Sequence, residues 1–260
     1  DYQISYLDYE LDQLRKKGDM TEVFKKYDDI LNKSDYYLFI YNYAVELVQY
    51  AIPQGDEKKP EDAPELLKRA SALLKRCAEK EPDYPNTYQL LGSLVVNELD
   101  ILREQNKALK VKTAAPGKAL KPEEKKENEE ITKKKDAILA QMKGKYDEAL
   151  VHFLKVDDLL GTKIKLKQDE REVLKRSIDN MLDIYNYKKD NAKYEYYTDK
   201  YNMLQIPVTM GMSKEEVVKK YGKPDRIEKT TTDSGNSEIY HYKRGNVGFD
   251  ATGKVNYIHD

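Results

Sequence analysis

The chain has 260 residues, 39% of them hydrophobic and 36% charged, which suffices for one large or two modest domains and rules out a disordered polymer. Its 46 basic and 47 acidic residues leave a net charge of -1, which argues against a nucleic-acid binder driven by phosphate neutralisation. One cysteine, Cys77, and three scattered histidines, His152, His241 and His259, cannot make an intramolecular disulfide or a cysteine-rich zinc site, so neither metal nor cofactor is expected.

From the start of the chain, apolar residues recur three and four apart with charged residues between them, the pattern of amphipathic helices. A first helix over 3–17 stops at Gly18, a second over 20–33 near Ser34 and Asp35, and a third over 36–51 before Pro53. Asp62 ahead of Ala63 and Pro64 reads as an N-cap, and the fourth helix runs to Glu81 before Pro82. A fifth starts at Pro85. Residues 107–136 then carry ten lysines and six acidic residues around Pro116, Gly117 and Pro122, with too little apolar content to bury. That segment reads as a solvated loop with two helix tips, or as a basic arm for an anionic membrane surface or an acidic partner. Later helices are expected over 123–142, 145–160, 168–187 and 190–204, joined by short connections into hairpins.

The pattern changes near Pro207. Six glycines occupy the first 205 residues and six the last fifty. Ser213 with Glu216 forms a capping box, Val217, Val218 and Tyr221 give a short helix its apolar face, and Gly222 with Pro224 stops it. Strands follow at 226–232, 238–243, 246–250 and 254–259, separated by Asp-Ser-Gly-Asn, Lys-Arg-Gly-Asn and Ala-Thr-Gly-Lys turns. One helix on a four-stranded antiparallel meander is the expected result. The fold class is therefore mainly α, a superhelix of helical hairpins over 1–205 with a lysine-rich hairpin inserted around 107–143, followed by a small α+β domain over 206–260.

The hairpins fit a period of about 34 residues. Tyr88, Leu91, Gly92 and Val95 follow Ala70, Leu74, Cys77 and Pro82 at the spacing of two half-repeats. A first repeat has Leu7, Leu11 and Leu14, then Gly18, then Val23, Tyr27 and Ile30; a second has Ile40, Tyr43, Ala44 and Leu47, then Ala70 and Leu74. The third resumes after the insertion with Gly144, Tyr146, Ala149 and Phe153, and Met181, Leu182, Tyr185, Ala192, Tyr194 and Tyr197 make a looser last pair. On these residues the helical part resembles tetratricopeptide repeat proteins, with an irregular helical bundle as the alternative. The resemblance implies a right-handed solenoid whose concave side, lined by first helices, binds peptides or protein segments.

In that register the binding groove comprises Asp8 and Asp12; Leu38, Tyr41, Val45 and Val48; and Asn86, Gln89, Ser93 and Asn97. Asp8 and Asp12 stand where a carboxylate clamp would need a cation and an amide, which disfavours capture of C-terminal carboxylates. A mixed apolar and polar groove suits an extended or helical protein segment, or the chain's own last helix or C-terminal domain.

Gly211-Met212-Ser213, Gly222-Lys223-Pro224, Tyr240-His241-Tyr242, Val247-Gly248-Phe249 and Gly253-Lys254-Val255 together resemble the SmpA/OmlA-type outer-membrane lipoprotein domain, which is related to the unit of beta-lactamase inhibitor proteins. That resemblance implies a bacterial cell-envelope protein, periplasmic or attached to the outer membrane, working by protein contacts. No run of eighteen apolar residues offers a membrane span. The chain opens on Asp1 with no apolar leader, so membrane attachment would be through a lipidated N-terminus removed from it.

No phosphate loop, His-Glu-x-x-His helix or nucleophile elbow occurs, and His241 and His259 have no evident partner as general bases. The function expected is a noncatalytic adaptor or scaffold with a protein or peptide partner and no nucleic acid. The alternative is an enzyme or enzyme inhibitor with its site between the helical and α+β domains. Eighteen of the 22 tyrosines fall in the helical part, where they are expected to build helix interfaces, with Tyr41 turned to the groove.

Overall fold

A computed structural model describes residues 2–53, 55, 58–114, 119–163, 166–205, 208–232, 235–242 and 245–259, without the side chains of 2–8, 203, 205, 232 and 235. The helices are α1 (Tyr2–Lys17), α2 (Met20–Leu31), α3 (Tyr37–Ala51), α4 (Ala63–Lys80), α5 (Pro85–Ala108), α6 (Pro122–Leu160), α7 (Gln168–Lys188), α8 (Asn191–Gln205) and α9 (Lys214–Tyr221). The strands are β1 (Arg226–Thr232), β2 (Gly235–Tyr242), β3 (Gly245–Phe249) and β4 (Val255–His259). The chain is thus mainly helical and ends in a small α+β fold. Packing divides it into two compact units, 1–94 and 95–260, with the boundary inside α5. The change from helices to strands lies within the second unit.

In the first unit, Gly18 takes φ +72°, a left-handed conformation that lets α1 end and Asp19 cap α2 through the Glu22 amide at 3.1 Å. Asp62 does stand before α4, but its side chain makes no capping bond, so Pro64 and Glu65 supply the favourable first turn. The core joins Leu11 of α1, Val23 and Tyr27 of α2, Tyr43, Ala44 and Leu47 of α3, Ala70 and Leu74 of α4, and Leu91 and Leu94 of α5. Tyr27 stacks on Tyr43 at 4.9 Å, and Arg69 of α4, which pairs with Asp28, lies 4.9 Å from the centre of the Tyr43 ring. Cys77 is fully buried with its sulfur 3.2 Å from the Thr87 hydroxyl, the core position expected of it.

The second unit opens on a long antiparallel hairpin. Val95, Leu99, Leu102, Asn106 and Leu109 are buried or half-buried at spacings of four and three, and so are Glu124, Asn128, Ile131, Lys135, Ile138 and Met142. Both rows have the alternating four-and-three spacing of helix seams. Lys145 meets Glu98 at 2.6 Å and Arg103 meets the Tyr146 hydroxyl at 2.9 Å near its base. Farther out, Asn128 exchanges hydrogen bonds of 2.8 and 2.9 Å with the backbone of Lys112.

One expectation fails here. The separate helices over 123–142 and 145–160 are a single helix, α6, running through Gly144. A helical glycine costs only about 1 kcal/mol against alanine, and the packed turns on both sides carry the backbone across it.

Beyond the hairpin, Tyr146, Ala149, Phe153 and Val156 of α6 are buried, as are Leu174, Ile178, Met181 and Tyr185 of α7 and Tyr197 of α8. Tyr185 stacks on Tyr197 at 5.5 Å. An ion pair ties α8 to α6: Lys200 Nζ lies 2.5 Å from Asp157 Oδ1, and the Tyr197 hydroxyl donates to Asp157 Oδ2 at 3.2 Å.

In the α+β part the capping box is complete: the Glu216 amide donates to Ser213 Oγ at 3.2 Å and the Ser213 amide to Glu216 Oε2 at 2.7 Å. The sheet runs β1-β2-β3-β4, all antiparallel. Tyr240, Val247, Phe249 and Val255 pack with Val217 of α9 in a small core. Gly248 is required by close approach, because a Cβ there would lie 2.9 Å from the Cβ of Tyr257. Among the described residues no helix is long and apolar enough to cross a membrane.

Candidate functional site

The densest group of chemistry-bearing side chains in the first unit sits where the start of α3 meets the turn into α5. Tyr37 and Tyr41 are one helical turn apart and project to the same side of α3. Tyr84 ends the α4–α5 turn, its amide bonded to the Glu81 carbonyl at 3.3 Å. The rings of Tyr37 and Tyr84 meet edge to face at 5.2 Å, and those of Tyr41 and Tyr84 at 5.1 Å and 87°. Tyr36, 43% exposed, extends the cluster by edge contacts with Tyr37 at 5.2 Å and Phe39 at 5.6 Å. Asn86 donates to the Tyr84 hydroxyl at 3.2 Å, and one turn later Gln89 donates to Ser93 Oγ at 2.9 Å.

Burial pushes the Tyr84 hydroxyl well above the ordinary tyrosine range, and the neighbouring Tyr41 and Tyr37 add to the shift. Tyr37 is raised by burial, then by Tyr36 and Glu81. Tyr37 and Tyr84 therefore stay neutral at physiological pH.

The structure brings some of the expected groove residues together. Tyr41 and Asn86 both contact Tyr84, and Gln89 joins Ser93. Leu38, Val45 and Val48 are half-buried on α3, with Tyr41 and Val48 also packed on the core. Asn97 is half-buried and belongs to the second unit. Asp12 is exposed and pairs with Arg15 at 2.6 Å. The side chain of Asp8 lies outside the described residues. Tyr37 and Tyr84 were missed because the groove was assigned from helix faces: Tyr84 belongs to a turn, and Tyr37 opens its helix. The tyrosine-rich run at 36–37 was the available signal.

A second feature of this unit is an open cavity of about 490 Å³ bounded by α1, α3 and the α3–α4 connection. Its lining includes Arg15, which donates through Nε to Glu46 at 2.8 Å, together with Met20, Tyr50, Pro53 and Pro60. Its charged lining is Arg15, Lys58 and Lys59 against Glu46 and Glu61, cations with carboxylates interspersed.

In the α+β part, strand register overturns one expectation. His241 was expected to lack a partner, yet pairing of β1 with β2 and of β2 with β3 sets it between Glu228 and Asn246. Its Nδ1 is 2.6 Å from Asn246 Oδ1, and its Nε2 is 3.1 Å from Glu228 Oε2 and 2.9 Å from Arg226 Nη2. Among the described residues, the side chains bonded to His241 are those of Arg226, Glu228 and Asn246. Among the described residues no group of three or more His, Cys, Asp or Glu is placed to hold a metal ion.

No protein-family model, no curated protein and no solved structure matches this chain.

Proposed function

We propose that the chain is a noncatalytic adaptor or scaffold of the bacterial cell envelope that holds a segment of another protein against its first-helix surface. The observation that carries this reading is the convergence of Tyr41 from α3 with Tyr84 and Asn86 at the start of α5, a half-buried aromatic and amide surface of the composition that dominates protein recognition. Helix order supports a tetratricopeptide-type array: α1 and α2, α3 and α4, α5 and α6, and α7 and α8 follow one another as successive pairs. The small residues of the repeat pattern, Ala44, Ala70, Gly92 and Ala149, are all buried, as close helix crossings need. The envelope setting rests on the SmpA/OmlA-type residues of the α+β part, whose helix and four-stranded meander accord with that domain.

The test is affinity purification from native envelopes with the unsubstituted protein and with the Tyr41→Ala, Val45→Ala double variant, both checked for folding by circular dichroism. A partner recovered by the first and lost at least tenfold from the second supports the reading. Undiminished capture by a folded double variant would overturn it.

A further inference from the structure

The tyrosine cluster has an electrostatic surrounding that neutral rings and amides do not by themselves explain. Half-buried Glu81 adds to the rise that burial and Tyr36 give the Tyr37 hydroxyl, and exposed Asp83 adds to the rise that burial gives Tyr88. Among the described residues neither carboxylate has an ion pair, whereas the cations Arg76 and Lys80 are both taken by Asp35. The surface therefore combines electron-rich rings with Glu81 beside Tyr37 and with Asp83 one residue before Tyr84, both without an ion pair among the described residues. Tyr37, Tyr41 and Tyr84 are each half-buried, so part of every ring in the trio is exposed to a visitor. Ring faces attract cations, and carboxylates beside them add to that attraction.

We propose that this cluster receives a basic side chain, arginine or lysine, from the bound protein segment. The ligand class rests on the segment-binding reading above and makes it more specific. Arginine fits best because its planar guanidinium stacks on aromatic rings while its N–H groups can pair with the Glu81 carboxylate or the Asn86 side-chain carbonyl. Asn86 holds the Tyr84 hydroxyl and so fixes the ring that touches both other tyrosines. A neutral or acidic side chain at this point would leave the two carboxylates without a counter-charge.

The experiment uses the full chain with its tyrosine rings carbon-13 labelled, the signals being assigned through Tyr37→Phe, Tyr41→Phe and Tyr84→Phe. The probes are the blocked peptide Gly-Ala-Arg-Ala-Gly, its twin with citrulline for arginine, and tetramethylammonium chloride. The arginine peptide should move the three ring signals saturably and bind about fivefold or more tightly than the citrulline twin. Glu81→Gln should weaken it several-fold and Tyr84→Leu should abolish it. Equal binding of the two peptides would overturn the cation claim while leaving segment binding intact. Tetramethylammonium bound as tightly as the arginine peptide would also overturn it, by making this a site for free cations. So would an arginine peptide that leaves all three rings unmoved. Failure of the segment-binding reading itself is seen separately, in undiminished partner capture by the Tyr41, Val45 double variant.

Discussion

The ion pair between Asp157 and Lys200 offers a quantitative test of how α8 is held to α6. Only 14% of the Asp157 side chain and 15% of the Lys200 side chain is exposed. At 2.5 Å and an effective dielectric constant of about 20, Coulomb attraction is about 7 kcal/mol, most of it offset by desolvation of the two charges. Asp157 Oδ1 is buried and accepts no hydrogen bond, so it gains charge attraction alone. The net worth of the pair is thus small, but breaking it is not. Lys200→Met leaves a buried carboxylate that keeps, among the described residues, the Tyr197 hydroxyl as its hydrogen-bond donor, which should cost about 3–5 kcal/mol. At roughly 2–4 °C per kcal/mol, the unfolding midpoint should fall by about 6–20 °C. Adding Asp157→Asn removes the stranded charge and keeps an acceptor for Tyr197, so the double variant should recover most of the loss. Urea unfolding followed by far-ultraviolet circular dichroism measures all three differences. A single variant within about 0.5 kcal/mol of the parent, or a double variant no better than the single, would refute the reasoning.

Two further outcomes follow from other side chains. Gly144 is exposed in the middle of α6, and a Cβ there meets nothing within 4 Å, so Gly144→Ala should stabilise the protein by about 0.5–1 kcal/mol in urea unfolding; a loss of stability would mean that the helix needs a break at this point. Lys220 of α9 has a buried Nζ with no hydrogen-bond acceptor, and burial followed by repulsion from Arg171 depresses its pKa. Its charged form is thus disfavoured in the folded state, so stability of the parent should rise as pH climbs through the depressed value towards the unfolded value of about 10.4. Lys220→Met should raise stability near neutral pH by about 1 kcal/mol and lose that rise; a destabilised variant with an unchanged pH profile would contradict the account.

Local rules were legible where a few adjacent residues settle the outcome. Gly18 and Gly222 stop helices because each takes a positive φ, and Ser213 with Glu216 closes a capping box that depends on three consecutive peptide units. The four strands were located to within a few residues because β-branched and aromatic runs alternate with turn sequences. The break expected at Gly144 failed for the opposite reason: a single glycine is a weak signal, and the seam and core contacts on either side of it outweigh its propensity.

The candidate site divides in the same way. Sequence periodicity by itself determined that long amphipathic helices come in pairs, and it put Tyr41, Val45, Asn86, Gln89 and Ser93 on exposable helix faces, because one face of a helix repeats every three to four residues. Only the tertiary structure decided that Tyr41 meets Tyr84, 43 positions away in the chain, and that His241 lies between Glu228 and Asn246. Those juxtapositions depend on how one helix crosses the next and on which residues pair across strands. Both are set by packing and register over long sequence separations, and no local pattern of residues records them.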